Sequence, residues 1–179
     1  VDLRRELIDA ADYLDTEKLL WTTDKQGDNH AKKIAKNLHD KPVVIYSSPL
    51  LESAGYKWKI SINENAKQMA FCDTFTELNH NEMQGWQFPK DKSFASVVLS
   101  TVFESAQIQK RIELTKQTLT KYGYAPTIIQ AKGQNHIQQL LEIILLGDYV
   151  SAYLAILNGV NPTPVKIIED FKKRLTLGA

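Results

Sequence analysis

Pro42-Val43-Val44-Ile45-Tyr46-Ser47-Ser48-Pro49 is the stretch whose reading decides the fold. Its β-branched and aromatic centre is too short for a helix and lacks the polar alternation of a half-exposed strand. Closed by Pro42 on one side and Ser47-Ser48-Pro49 on the other, it predicts a strand buried on both faces, the kind that parallel sheets contain. Both flanks read as helix. Upstream, Ala31, Ile34, Ala35 and Leu38 share one face behind Asp28, a candidate N-cap. Downstream, Trp58, Ile62, Ala66, Met69 and Ala70 share a face between about Ser53 and Ala70. Phe94 to Ser100 predicts a second strand, Ser105 to Tyr122 a charged amphipathic helix, and Ala125 to Gln130 a third strand. Two helices follow, one from about Gln134 to Leu157 and one capped by Thr163 with Pro164 at its first position. Ahead of all these, Leu3, Leu7, Ala10, Ala11 and Leu14 form the stripe of a first helix ending before Thr22-Thr23. Short buried strands alternating with helices predict a three-layer α/β/α sandwich around a mainly parallel sheet with right-handed crossovers. Residues 1–179 read as one domain, with 1–25 as a linking helix.

Composition agrees with a single core and excludes several functions. With 43% hydrophobic residues in 179, the chain can bury one sizeable core. Its 22 Lys+Arg against 21 Asp+Glu, net +1, give no overall field for nucleic acid or an anionic membrane, although a small anionic substrate needs only local charge. Cys72, the sole cysteine, cannot form an intrachain disulfide and fits a reducing cytoplasm. His30, His39, His80 and His136 are scattered, there is no His-Glu-x-x-His and there is no Gly-rich nucleotide loop, so neither metal nor cofactor is expected. The apolar run from Ile137 to Leu157 is interrupted by Gln138, Gln139, Glu142 and Asp148, which predicts a buried helix rather than a membrane span. Asp2, Arg4, Arg5, Glu6 and Asp9 leave no signal-peptide core at the start. The chain opens on Val1 rather than Met, as a fragment or processed chain would.

The chemistry is concentrated in two places. Cys72 to Ser93 is too polar and aperiodic for a core element, and loops of such length are commonly functional. It contains Glu77-Leu78-Asn79-His80-Asn81-Glu82-Met83-Gln84 followed by Gly85-Trp86, an imidazole among amides and carboxylates that are candidates to fix its tautomer for proton transfer near neutrality. The bland reading of His80 is a loop histidine bonded to a nearby carbonyl. Upstream, Glu64 in Asn63-Glu64-Asn65-Ala66-Lys67 points away from the apolar stripe, and by itself it reads as a surface partner of Lys67. Ser47 and Ser48 lie past a strand's carboxyl end, where open α/β sheets gather ligands, although two hydroxyl residues before a proline also make an ordinary turn. His30, His39 and His136 read as solvated, and Trp21, Trp58 and Trp86 as core or interface. The basic run Lys172-Lys173-Arg174 suits the last turn of a helix, whereas Lys166 sits in a first turn.

Taken in order, these blocks resemble a known family. Asn29-His30-Ala31-Lys32-Lys33-Ile34-Ala35, Val44-Ile45-Tyr46, Trp58-Lys59, Asn63 to Lys67, Glu77 to Glu82, Gly85-Trp86, Gly147-Asp148, Tyr153-Leu154-Ala155 and Gly159 to Val165 together resemble the C-terminal half of the bifunctional phosphoglucose/phosphomannose isomerases of bacteria and archaea. The resemblance implies the sugar-isomerase (SIS) fold, a soluble cytoplasmic enzyme, and metal-free interconversion of glucose 6-phosphate or mannose 6-phosphate with fructose 6-phosphate through a cis-enediol. It also implies a first SIS subdomain upstream of Val1 carrying a Ser/Thr phosphate loop, and a homodimer in which His80 acts across the interface. Carried over by position, Glu64 resembles the catalytic base, His80 the ring-opening group and Lys172 the lysine beside the ring oxygen, with Lys166 the alternative. Two other readings stay open: a sugar-phosphate-binding regulatory module on the same fold, and a structural role in which residues 72–93 are a dimerisation arm.

Overall fold

A computed structural model describes residues 2–25, 27–88 and 90–177 of the chain. Strand β1 (Val43–Ser47) is buried at every position. It pairs in parallel with β2 (Ala70–Thr74) on one side and β3 (Ala95–Ser100) on the other, and β3 pairs in parallel with β4 (Thr127–Gln130), so the order is β2-β1-β3-β4. Because strand side chains alternate, β1 feeds two cores. Val43 and Ile45 join one with α2 (His30–Leu38), α3 (Glu52–Asn65) and α6 (His136–Leu157). Val44 and Tyr46 join the other, beneath α5 (Ala106–Lys121) and the segment 75–94 with its short α4 (Glu82–Gly85). The three-layer parallel α/β sandwich is therefore present. Helix α1 (Leu3–Glu17) packs on α6, and α7 (Lys166–Leu177) ends the described chain.

The differences from expectation have local causes. A helix was expected to run to Ala70, but α3 stops at Asn65 because Lys67 turns left-handed at φ +55° and reverses the chain. The residues after it become β2, a fourth strand. As an edge strand burying only Ala70 fully, it needs no run of β-branched residues and looks polar in sequence. Asn29, not Asp28, caps α2, accepting from Lys32 N at 3.0 Å, while Asp28 pairs with Lys33 at 2.6 Å. The last helix starts at Lys166 rather than at Pro164. Asn161 Oδ1 takes the N–H of Thr163 at 2.9 Å and makes a turn there instead. In α1, Ala10 is buried and Tyr13 reaches α6, but Leu3 and Leu7 remain exposed. Trp21, Trp58 and Trp86 are all core residues.

Helix α6 is long and apolar enough to cross a membrane by length and composition, yet half of that window is buried inside this fold. Its Glu142 is 3% exposed and stays satisfied because Oε2 accepts from Lys132 N (2.8 Å), Gly133 N (2.9 Å) and Tyr13 Oη (3.0 Å). Burial first, and then this carboxylate, holds the Tyr13 hydroxyl well above its ordinary pKa. Glu142→Ala would strand two backbone donors, with an expected loss of about 2–4 kcal/mol in urea denaturation. Gln, which keeps an acceptor, should lose less. A loss for Ala within about 0.5 kcal/mol, the range of an ordinary surface change, would contradict the role.

Candidate active site

Segment 75–94 contributes directly to the core, against the expectation that it was too polar to do so. Phe75, Leu78 and Trp86 are all buried in the second core, but they are spaced by short 3₁₀ and α turns and so show no period. Around them the motif's polar residues are bound to the body. Asn79 donates to Thr115 Oγ1 on α5 at 2.9 Å and accepts from Arg111 Nη1 at 3.3 Å. Asn81 donates to Glu77 Oε1 at 2.7 Å, and the His80 backbone N–H donates to Glu77 O at 2.8 Å. His80 itself is exposed, and among the described residues nothing hydrogen-bonds its imidazole. The neighbours expected to fix its tautomer instead fix its backbone, because the 3₁₀ turn aims them at one another and at α5.

Glu82 is secured from beneath. Trp86 Nε1 donates to Tyr46 Oη at 2.6 Å, and the Tyr46 hydroxyl donates to Glu82 Oε2 at 2.9 Å. Burial, followed by the nearby Asp73, raises the Glu82 carboxyl pKa, and burial also raises the Tyr46 hydroxyl. The Trp86 ring meets Tyr124 edge-on at 4.5 Å between centroids. This role of Tyr46 was missed in the sequence. The available signal was a tyrosine inside a buried strand, whose hydroxyl requires a partner. Tyr46→Phe should cost about 1–3 kcal/mol and speed amide hydrogen exchange across residues 77–86. Unchanged exchange there would show that Tyr46 does not anchor the motif.

Glu64 repeats the arrangement on the opposite face of the sheet. Asn63 grips the start of β2, accepting from Ala70 N at 3.0 Å and donating to Ala70 O at 3.2 Å, and Asn65 donates to Ser151 Oγ on α6 at 2.9 Å. Between them the Glu64 carboxylate is exposed and, among the described residues, takes no hydrogen bond. The expected Glu64–Lys67 side-chain pair does not form. Lys67 Nζ folds back to the Glu64 backbone carbonyl and to Pro162 O. Two Asn-x-Asn triplets, Asn63-Glu64-Asn65 and Asn79-His80-Asn81, thus each fasten the flanks and present the central group to solvent.

The remaining candidates fall into two groups. Lys67 Nζ reaches Pro162 O, ahead of α7, and Lys166 and Lys172 on that helix are both exposed. His80 lies on the other face, with the sheet between it and Glu64. Ser47 and Ser48 are buried, and Ser47 Oγ packs so close to Gly55 that a Cβ there would come within 2.8 Å. The adjoining turn already holds an internal anion, since Glu104 Oε1 accepts from Leu50 N at 2.8 Å. Beside it a crevice of about 400 Å³ is lined by Ser47, Glu52, Tyr56, Asp73 and others, with Lys59 Nζ 4.8 Å from the centre of the Tyr56 ring. Cys72 opens on the same crevice, and burial raises the pKa of its thiol. His39 and His136 are not simply solvated, because their Nε2 atoms lie 3.2 Å from Leu157 O and 3.1 Å from Leu50 O. Among the described residues no group of His, Cys, Asp or Glu is arranged to hold a metal ion.

The family model of the bacterial phospho-glucose isomerase C-terminal SIS domain matches residues 27–175. The chain belongs to that family. This SIS domain is 33% identical over 145 residues to the bifunctional phosphoglucose/phosphomannose isomerase of Aquifex aeolicus, covering 80% of the chain and 45% of that protein. With the enzyme of the same name from Thermoplasma acidophilum it shares 38% over 135 residues, 74% of the chain and 42% of the relative. It thus spans about half the length of these relatives. Among solved structures, a glucose-6-phosphate isomerase like protein of Thermus thermophilus superposes with a TM-score of 0.61 at 22% identity, over 75% of the SIS domain and 45% of that chain. The C-terminal domain of glucosamine-fructose-6-phosphate aminotransferase from Francisella tularensis also gives 0.61, at 15% identity over 88% and 43%. At those identities the likeness is one of fold.

Proposed function

We propose that this SIS domain supplies the general base and the ring-opening imidazole of an aldose-ketose isomerase that interconverts glucose 6-phosphate or mannose 6-phosphate with fructose 6-phosphate. The observation that carries the reading is the pair of fastened Asn-x-Asn triplets, each offering one proton-transfer group on a rigid backbone. Rigid presentation is what general acid–base catalysis requires. In the proposed cycle His80 moves a proton from the anomeric hydroxyl towards the ring oxygen, with Lys172 beside that oxygen and Lys166 as the alternative. Glu64 then takes the proton from C2 and returns one to C1 across a cis-enediol, a shuttle that one carboxylate performs with no change in net charge.

One feature of the fold supports a composite site. With the sheet between Glu64 and His80, both can serve one substrate when two copies of the chain meet, as in a homodimer with His80 reaching across. Ser47 and Ser48, at the carboxyl end of β1, stay as candidate contacts to the sugar phosphate, and the main phosphate grip is assigned to the Ser/Thr loop of a first SIS subdomain. A free Cys72 suits the reducing cytoplasm in which we place the reaction. Turnover by His80→Ala in the full-length protein tests the assignment. Conversion of the ring-closed sugar phosphate should fall by at least about 10²-fold with binding retained. Undiminished turnover would remove His80 from the chemistry and favour the alternative of a sugar-phosphate-binding regulatory module.

A further inference from the structure

Helix α5 packs on the second core through an apolar stripe, Ile108, Ile112 and Leu119, with one hydroxyl in its midst. Thr115 continues the same helical spacing and is 1% exposed, a place where an aliphatic side chain is the ordinary choice. Its hydroxyl does not turn back on its own helix. Thr118 and Thr120 do so, donating to Leu114 O and Lys116 O at 2.8 Å each, as helical threonines commonly do. Thr115 Oγ1 instead accepts from Asn79 Nδ2 at 2.9 Å, and one turn back on α5 Arg111 Nη1 donates to Asn79 Oδ1 at 3.3 Å. Both ends of one side-chain amide are thus engaged by a single helix.

Asn79 immediately precedes His80, and the peptide between them is planar and stiff. The His80 N–H closes on Glu77 O at 2.8 Å, and two residues further on Tyr46 holds Glu82 at 2.9 Å. His80 therefore hangs between two anchors, one on α5 and one on β1. Its exposed imidazole has no hydrogen bond of its own among the described residues, so the backbone alone sets the point from which it reaches. Proton transfer tolerates little error there, since a misplacement of about 1 Å can cost about 10²-fold in rate.

We propose that Thr115 and Arg111 are positioning residues for His80: by holding the Asn79 amide they fix the backbone from which the imidazole reaches the sugar ring. The inference rests on the reading of His80 as the ring-opening group. It explains why a buried hydroxyl interrupts the apolar stripe of α5, 36 residues away from the amide that it holds.

The test uses the full-length protein and two substitutions that separate the hydroxyl from the bulk of the side chain. Thr115→Val keeps the shape and removes the acceptor, whereas Thr115→Ser keeps the hydroxyl and removes a methyl group. Asn79 is half-buried, so water can serve its freed Nδ2 and the fold should survive. Thr115→Val should lower kcat for ring-closed glucose 6-phosphate about tenfold or more, with KM within about twofold of wild type. Amide hydrogen exchange at residues 77–81 should quicken about tenfold in the same variant. Thr115→Ser should keep kcat within about twofold in spite of a lower Tm, because what it loses is buried apolar volume. Arg111→Met, at the longer and exposed contact, should lower kcat about threefold. Thr118→Val, whose hydroxyl bonds only within α5, should turn over as wild type. Thr115→Val/His80→Ala should be no slower than His80→Ala alone, since both changes act through one imidazole. Equal losses of kcat in Thr115→Val and Thr115→Ser, or wild-type kcat in Thr115→Val while His80→Ala is slow, would overturn the positioning role and leave His80 in the chemistry. Wild-type turnover in His80→Ala would overturn the catalytic reading and this inference with it.

Discussion

Glu64→Gln in the full-length protein is expected to lower kcat for fructose 6-phosphate isomerisation by about 10²–10⁴-fold, with KM changed only a few-fold. Glutamine keeps the shape and hydrogen-bonding reach of the side chain but cannot carry the C2 proton. The fold should not respond, because Asn63 and Asn65 hold the end of α3 through their own side chains and the Glu64 carboxylate is exposed. Surface substitutions of this kind usually stay within about 0.5 kcal/mol. A kinetic loss with an unchanged Tm therefore reports chemistry and not unfolding. Near wild-type turnover would place the base elsewhere.

Gly147→Ala, which adds a single methyl group, is expected to be strongly destabilising. Gly147 lies where α6 crosses α3, and an added Cβ would come within 2.8 Å of Trp58 Cε2 and closer still to Nε1 and Cδ1. Trp58 has nowhere to move. It is fully buried, and its Nε1 donates to Ile143 O at 2.7 Å. The crossing is also clamped by Asp148, which accepts from Lys57 Nζ at 2.6 Å and Ser61 Oγ at 2.8 Å. Overpacking of about 1–3 kcal/mol plus a weakened buried hydrogen bond of about 1 kcal/mol gives an expected loss of about 2–4 kcal/mol. Trp58→Phe should recover part of it in the double variant, since the two residues touch and their effects should not add. A single-variant loss under about 0.5 kcal/mol, or strict additivity, would show that the contact relaxes freely.

The legible parts of this fold are those in which local pattern and tertiary place agree. Strand β1 reads correctly because a central parallel strand must be apolar on both faces, and Val43 to Tyr46 are. Strand β2 does not, because an edge strand can carry Asp73 and Thr74, and because the left-handed turn at Lys67 carries no glycine to mark it. Glu64 and His80 stand out as residue types in context, but the partners of their neighbours do not. Tyr46 is 36 residues from Glu82, and Asn65 is 86 from Ser151. The separation of Glu64 from His80 follows from strand order, which pattern alone does not supply. β1 to β2 steps outward to the edge and β2 to β3 steps back across β1, so crossovers of one hand must put α3 and segment 75–94 on opposite faces.

That separation can be tested by mixing two inactive proteins. Glu64→Gln and His80→Ala variants of the full-length protein, each nearly inactive alone, would be combined in equal amounts, allowed to exchange subunits and assayed for isomerisation. If each site takes Glu64 from one copy and His80 from the other, half of the dimers formed are mixed and each mixed dimer has one intact site of two. Activity should then return to about a quarter of wild type, the product of those two fractions. No recovery after demonstrated subunit exchange would mean that one chain brings Glu64 and His80 to the same substrate, contrary to the arrangement described here.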